Sequence, residues 1–400
     1  MMQRLSRRVR ELPASQTLAL AAKARALKAR GVPVIDFSLG EPDFRTPPAA
    51  DLAVRAALER GDTHYPPVNG TPALKQAILR RTRRELGWEA KEEEVLVSCG
   101  AKHVLMNLFQ ALVDEGDEVV FPSPYWVSYP AMVQLVGGRP VPVETRAQDG
   151  FRLDLEAVEA ALSPRTKLLL LNSPNNPPGA VMPPEDVDAV VKLALERGVF
   201  VVSDEIYGAL VFGGATHRSA LQVEHPGRRE RVILVDGVSK TFAMTGWRVG
   251  WAIGPADVIA AAGKLQSQST SGVCTVAQAA AAAVLEGSDA EARSMQAAFA
   301  RRREVVMAEL RKIPGVVVPE AQGAFYAFPD VSSYYGRSHG GRRIEGSEVL
   351  SELLLERAQV AVVAGAPFGA DGHLRLSYAL DEAVLREGVG RIARFLGEVT

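Results

Sequence analysis

Apolar residues in this chain gather into short unbroken runs. They fall at Val95–Ser98, Glu118–Phe121, Lys167–Leu171, Val199–Ser203, Val232–Val235 and Val249–Ile253. Stretches of helical length, such as Lys102–Val113 and Pro184–Arg197, separate most of them. Strands that are apolar on both faces and alternate with helices belong to a parallel sheet covered on both sides. The pattern predicts an α/β domain from about residue 46 to 295.

The remainder reads differently. Val316–Val318 and Ala324–Phe328 are expected strands, Ser347–Ala358 a helix, Val360–Val363 and His373–Tyr378 strands, with a last helix from Asp381. This mixed order predicts a smaller α+β domain over residues 296–400. The helix Ala19–Arg30 and strand Pro33–Phe37 are expected to join it, so residues 1–45 form an N-terminal arm plus part of the small domain. The Gly-rich stretch Tyr334–Ser347 is expected to be a mobile loop. No internal repeat is visible.

Composition narrows the function classes. The 400 residues carry 46 basic and 47 acidic side chains, for a net charge of -1. That balance gives no footprint for nucleic acid or for an anionic membrane surface. Two cysteines, Cys99 and Cys274, are too few for a disulfide framework, so a cytoplasmic location is expected. No apolar run approaches the ~20 residues of a membrane helix, and the basic N-terminus lacks a secretory apolar core.

Candidate chemistry gathers at predicted strand ends, where open α/β sheets bind ligands. After the first run, Ser98-Cys99-Gly100 turns into a helix whose free N–H groups can receive phosphate. Lys102 lies in the first turn of that helix, where the dipole disfavours a cation. "VFVVSDEIY" ends on Asp204, placed to hold a cationic ring nitrogen, with Tyr207 three residues on. "LNSPNNPPG" is a rigid turn that exposes an amide. In "VSKTFAMTGWRVG", Lys240 and Arg248 are the only charges, eight positions apart. Fully extended, that step would cover roughly 26 Å. Gly246 and the small residues predict a fold-back, so both cations face one small molecule. A desolvated lysine can act as a nucleophile, whereas arginine stays charged and grips phosphate bidentately. With an acid for a ring nitrogen, this set describes a pyridoxal phosphate site.

These motifs, with "FSLGEPDF", "YPPVNGTPALKQAI", "SPYWVSYPAMV" and "GHLRLSYA", span Phe37 to Ala379. The chain resembles the class I aminotransferases of the fold type I pyridoxal phosphate enzymes, and within them the bacterial type Ib aspartate aminotransferases. The resemblance implies a large domain with a mostly parallel seven-stranded sheet, a smaller α+β domain, and a homodimer with shared active sites. It implies that Lys240 binds the cofactor covalently and moves a proton between Cα and C4′, and that Asp204 keeps the pyridine nitrogen protonated. Tyr207 and Asn176 would hold the phenolic oxygen, and Trp126 would stack on the ring. Arg248, Ser239 and the amides at Gly100, Ala101 and Lys102 would hold the phosphate, with Tyr65 entering from the second subunit. Arg375 would clamp the substrate α-carboxylate, helped by Asn176 and Gly40. Lys102 and Thr17 would meet a distal carboxylate.

The implied activity is transfer of an amino group from an L-amino acid, aspartate foremost, to 2-oxoglutarate by a ping-pong route. Alternatives on the same site are an aminotransferase for aromatic, alanine-type or prephenate substrates, or a β-lyase. The chain departs from the family pattern at three places. Gly237 stands where many relatives have a hydroxyl, Pro178 replaces the threonine of N-P-T-G, and the arm has no basic residue at Leu12, Pro13 or Ala14. The first removes a phosphate contact, the second removes another hydroxyl, and the third speaks against prephenate.

Overall fold

The computed structural model describes residues 4–12 and 16–400, with the side chains of residues 7, 11 and 16–19 outside the description. All six apolar runs form strands of one seven-stranded sheet. In spatial order the strands are Val95–Ser98, Gly250–Ile253, Val232–Gly237, Phe200–Asp204, Thr166–Asn172, Glu118–Ser123 and Arg139–Glu144. Gly250–Ile253 is antiparallel to both neighbours, and the other four pairings are parallel.

Burial explains the unbroken runs. Leu168 and Leu170 pack with Val202, Ile233 and Val235 on one face of the sheet. Leu169 and Leu171 pack with Val201 and Leu234 on the other. Side chains of a strand alternate between faces, so a sheet covered on both sides needs apolar residues at every position. The seventh strand, Arg139–Glu144, carries no such run. Among the described residues it pairs only with Glu118–Ser123 and is therefore an edge, where Pro140 and Pro142 are tolerated although they donate no hydrogen bond.

A second core surrounds Phe299, Phe325, Tyr326 and Tyr378. Its strands are short. Leu374–Ser377 lies between Val363–Ala364 and Tyr326–Ala327, and Ile35–Asp36 pairs in parallel with Val360–Ala361. The helices Gln16–Ala29 and Glu382–Gly397 belong to this part of the fold. Helix Ala290–Leu310 leans on the first core through Ala292 and enters the second at Met295, so the division drawn near residue 295 falls within it.

Four expectations in this region are corrected. Val316–Val318 is not a strand: Val317 makes one isolated bridge to Asp330 and is 62% exposed, so nothing packs on it to extend the pairing. The Ala324–Phe328 strand shrinks to Tyr326–Ala327 because Ala324 takes a left-handed conformation, φ 56°. Val360–Val363 splits between two sheets. The stretch Tyr334–Ser347 is a small antiparallel ribbon, Ser338–His339 against Arg342–Arg343, turning on Gly340 and Gly341 at φ 55° and 79°.

Candidate active site

Three adjacent strand ends build the floor of a cavity of about 480 Å³. Register sets Asn172 beside Asp204 and Asp204 beside Val235. Beyond Val235 the chain enters the short helix Val238–Thr241, which carries Ser239 and Lys240 into the cavity. The Lys240 Nζ donates to the Gly40 carbonyl at 2.5 Å. Burial lowers its pKa to about 8 from the usual 10.5, with Arg375 and Arg248 adding to the effect and Glu41 opposing it.

Asp204 is 4% exposed. Burial raises its pKa to about 6, and the main opposing influence is a 2.7 Å hydrogen bond from the Tyr129 hydroxyl. Between pH 6 and 8 this site therefore pairs an ionised Asp204 with a protonated Lys240.

The Lys240–Arg248 segment folds back as expected, but not at Gly246. The positive dihedrals lie at Ala243, φ 51°, and at Arg248 itself, φ 55°. A non-glycine residue in this conformation is uncommon and is often found at functional sites. Here it turns the Arg248 guanidinium onto the Thr245 carbonyl at 2.8 Å and the Cys99 carbonyl at 3.3 Å. The guanidinium thus rests against the turn that opens helix Ala101–Leu112.

Glycines make that approach possible. A Cβ on Gly100, φ 82°, would lie 2.4 Å from Arg248 Nη2. A Cβ on Gly250 would lie 2.4 Å from the Ala101 nitrogen. Helix N-terminal amides, an arginine and Ser239 therefore converge on one anion-sized cradle. This set fits the phosphate of pyridoxal phosphate, and the buried acid and lysine fit its ring nitrogen and aldehyde. Gly237 has its own reason: a Cβ there would meet the Val249 carbonyl at 2.9 Å, so the neighbouring strand leaves no room for a hydroxyl side chain.

The opposite wall comes from the second core. Arg375, on the strand Leu374–Ser377, donates to Asn176 Oδ1 at 3.1 Å and to the Ser38 carbonyl at 2.9 Å. Its Nε is buried without a partner among the described residues. Its guanidinium stacks over Tyr326 at 4.6 Å. Tyr207 shares a 2.9 Å hydrogen bond with the Tyr326 hydroxyl, and its own pKa lies well above the usual value because it is buried. Lys102 Nζ sits 4.7 Å over the Trp126 ring. Burial and Arg248 both lower its pKa.

Of the residues singled out in sequence, Gly40, Ala101, Lys102, Trp126, Asn176, Asp204, Tyr207, Ser239, Lys240, Arg248 and Arg375 line this one cavity. Tyr65 does not. It is 91% exposed and lines a separate hollow with His64 and Cys274. The side chain of Thr17 lies outside the described residues. Sequence reasoning missed Tyr129, Asn172, Tyr326 and Arg25. Tyr129 follows Trp126 by three residues, a helical step that could have signalled a shared face. Asn172 clasps the site by accepting from the Asn176 amide at 3.1 Å and donating to the Asp204 carbonyl at 2.9 Å. Tyr326 carries no signal, since an aromatic in an apolar run reads as core.

Known proteins resemble this chain along nearly its whole length. A family model described as aminotransferase class I and II matches residues 32–392. An aspartate aminotransferase of Streptomyces avermitilis is 47% identical over 99% of this chain and 97% of its own length. A probable aspartate/prephenate aminotransferase of Aquifex aeolicus is 44% identical over 99% of both chains. The solved aspartate aminotransferase of Thermus thermophilus with maleate superimposes with a TM-score of 0.92, at 44% identity over 98% of this chain and 99% of that one. The Rhizobium meliloti aspartate aminotransferase superimposes at 0.95, with 39% identity over 99% and 100%.

Proposed function

Because this chain belongs to the class I and II aminotransferases, we propose that it moves an amino group from aspartate to 2-oxoglutarate with pyridoxal 5′-phosphate as cofactor. What supports the reading above all is that Lys240 and Asp204 meet at neighbouring strand ends between two arginines, Arg248 and Arg375, in one cavity. When bound, the cofactor supplies the electron sink for negative charge at the substrate Cα.

The protein residues do the rest. Lys240 would hold the cofactor and move the proton at the substrate Cα. Its lowered pKa leaves a substantial fraction neutral near pH 8 and able to act as nucleophile or base. Asp204 keeps the ring nitrogen protonated, and Tyr129 keeps Asp204 ionised. Tyr207 and Asn176 hold the phenolic oxygen. Arg248, Ser239 and the amides at Ala101 and Lys102 receive the phosphate. Arg375, fixed by Asn176 and Ser38, receives the α-carboxylate bidentately. Lys102 receives the distal carboxylate. A homodimer brings Tyr65 of the second copy to the phosphate, in keeping with its exposure in the single chain. Some relatives are named for prephenate as well as aspartate; the arm here offers Leu12, Pro13 and Ala14 in place of a basic residue, and the proposal is confined to aspartate.

The test is Lys240→Ala. It is expected to abolish oxaloacetate formation from aspartate and 2-oxoglutarate, and borohydride treatment of the native protein should fix the cofactor on Lys240 in a peptide map. Label on another lysine, or turnover surviving the substitution, overturns the assignment.

A further inference from the structure

Among the described residues, five cations and a single acid line the cavity: Arg25, Lys102, Lys240, Arg248 and Arg375 against Asp204. Such a surplus suits a ligand set richer in anionic groups than the cofactor phosphate and one α-carboxylate. Three of the cations are absorbed by the cofactor and the α-carboxylate, and Lys102 lies beside Trp126. Arg25 belongs to no part of the site so far described.

Arg25 comes from helix Gln16–Ala29, one helical step after Ala21, which also lines the cavity. Residues four apart share a helix face, so this helix presents one edge to the cavity mouth. Its other two basic side chains in this region are engaged elsewhere. Lys23 pairs with Glu356 at 2.7 Å, and Lys28 with Asp36 at 3.2 Å. Arg25 has no ion pair or hydrogen bond among the described residues, and it is exposed. An uncommitted guanidinium at the mouth of a cation-rich cavity has the fork geometry that matches a carboxylate.

We propose that Arg25 is a specificity-determining residue, receiving, together with Lys102, the distal carboxylate of dicarboxylic amino and oxo acids. The inference rests on the aminotransferase reading and deepens it by assigning substrate choice to a residue outside the family motifs described above. Because Arg25 is exposed, its contribution is screened by salt, unlike that of the buried Arg375.

The experiment uses holoenzyme with Arg25→Met and Arg25→Lys. Half-reaction kcat/KM is measured by cofactor absorbance for aspartate, glutamate, alanine and phenylalanine, and succinate is titrated as a non-reacting dicarboxylate. Arg25→Met is expected to lower kcat/KM for both acidic substrates about 10-fold and to weaken succinate by a similar factor. The neutral substrates should stay within about twofold, and Arg25→Lys should recover most of the loss. Raising ionic strength should narrow the gap between wild type and Arg25→Met. Equal losses for acidic and neutral substrates, or unchanged aspartate and succinate values, would overturn the assignment. If wild type converts aspartate while Arg25→Met matches it, this inference alone fails. If wild type converts no dicarboxylate, the aspartate reading fails and the Arg25 role falls with it.

Discussion

Replacing Tyr129 by phenylalanine takes one hydroxyl from a buried carboxylate that has few other partners. Asp204 Oδ2 accepts from Tyr129 at 2.7 Å, and Oδ1 accepts from the Ile206 amide at a longer 3.3 Å. A hydrogen bond to a charged group contributes ~1.5–3 kcal/mol. Its loss falls on the ionised form of Asp204, and one pKa unit corresponds to ~1.4 kcal/mol. Taking ~2 kcal/mol, the pKa of about 6 should rise by roughly 1.5 units. At pH 7 the ionised fraction would then drop from roughly nine-tenths to about a quarter. A cofactor with a protonated ring nitrogen binds the ionised acid, so its affinity weakens as pH falls through this pKa. The assay is titration of apoenzyme with pyridoxal phosphate from pH 5 to 9. Wild type should lose affinity below about pH 6, and Tyr129→Phe should already lose it below about pH 7.5. Superimposable pH profiles would mean that Tyr129 does not set the charge of Asp204.

Gly100→Ala should release cofactor on dialysis while the fold survives, because φ 82°, ψ 162° is a region almost confined to glycine, where an alanine costs ~1–3 kcal/mol, and its Cβ would displace the Arg248 guanidinium. Absorbance per subunit matching wild type after dialysis would refute that. Asp236, half-buried near the end of the strand Val232–Gly237, has a pKa raised by burial to about 8 from 3.8, with the Gly237 amide and Arg81 opposing. The folded state thus retains a proton that the unfolded chain releases, and stability falls as pH rises from about 4 to 8. Asp236→Asn removes this penalty, so it should raise Tm little at pH 5 and by a few degrees at pH 8.5. A gain that is the same at both pH values would contradict the argument.

The α/β class and the positions of the core strands along the chain were legible in the sequence because a sheet buried on both faces admits only apolar residues, and that constraint is local. The strand-end positions of Asp204 and Lys240 followed from the same runs, and the motifs named their chemistry. The edge strand Arg139–Glu144 escaped because an edge tolerates prolines and polar residues. The strands near Ala324 and Val360 were expected, but not their true bounds, because a single left-handed residue and a change of sheet shorten and split them. Only tertiary structure decided the site itself. It brought Arg375 onto Ser38 and Asn176 across 337 and 199 residues of chain, and Tyr129 onto Asp204 across 75. It also set the proton affinities, because the low pKa of Lys240 and the high pKa of Asp204 come chiefly from burial, which no stretch of sequence carries alone.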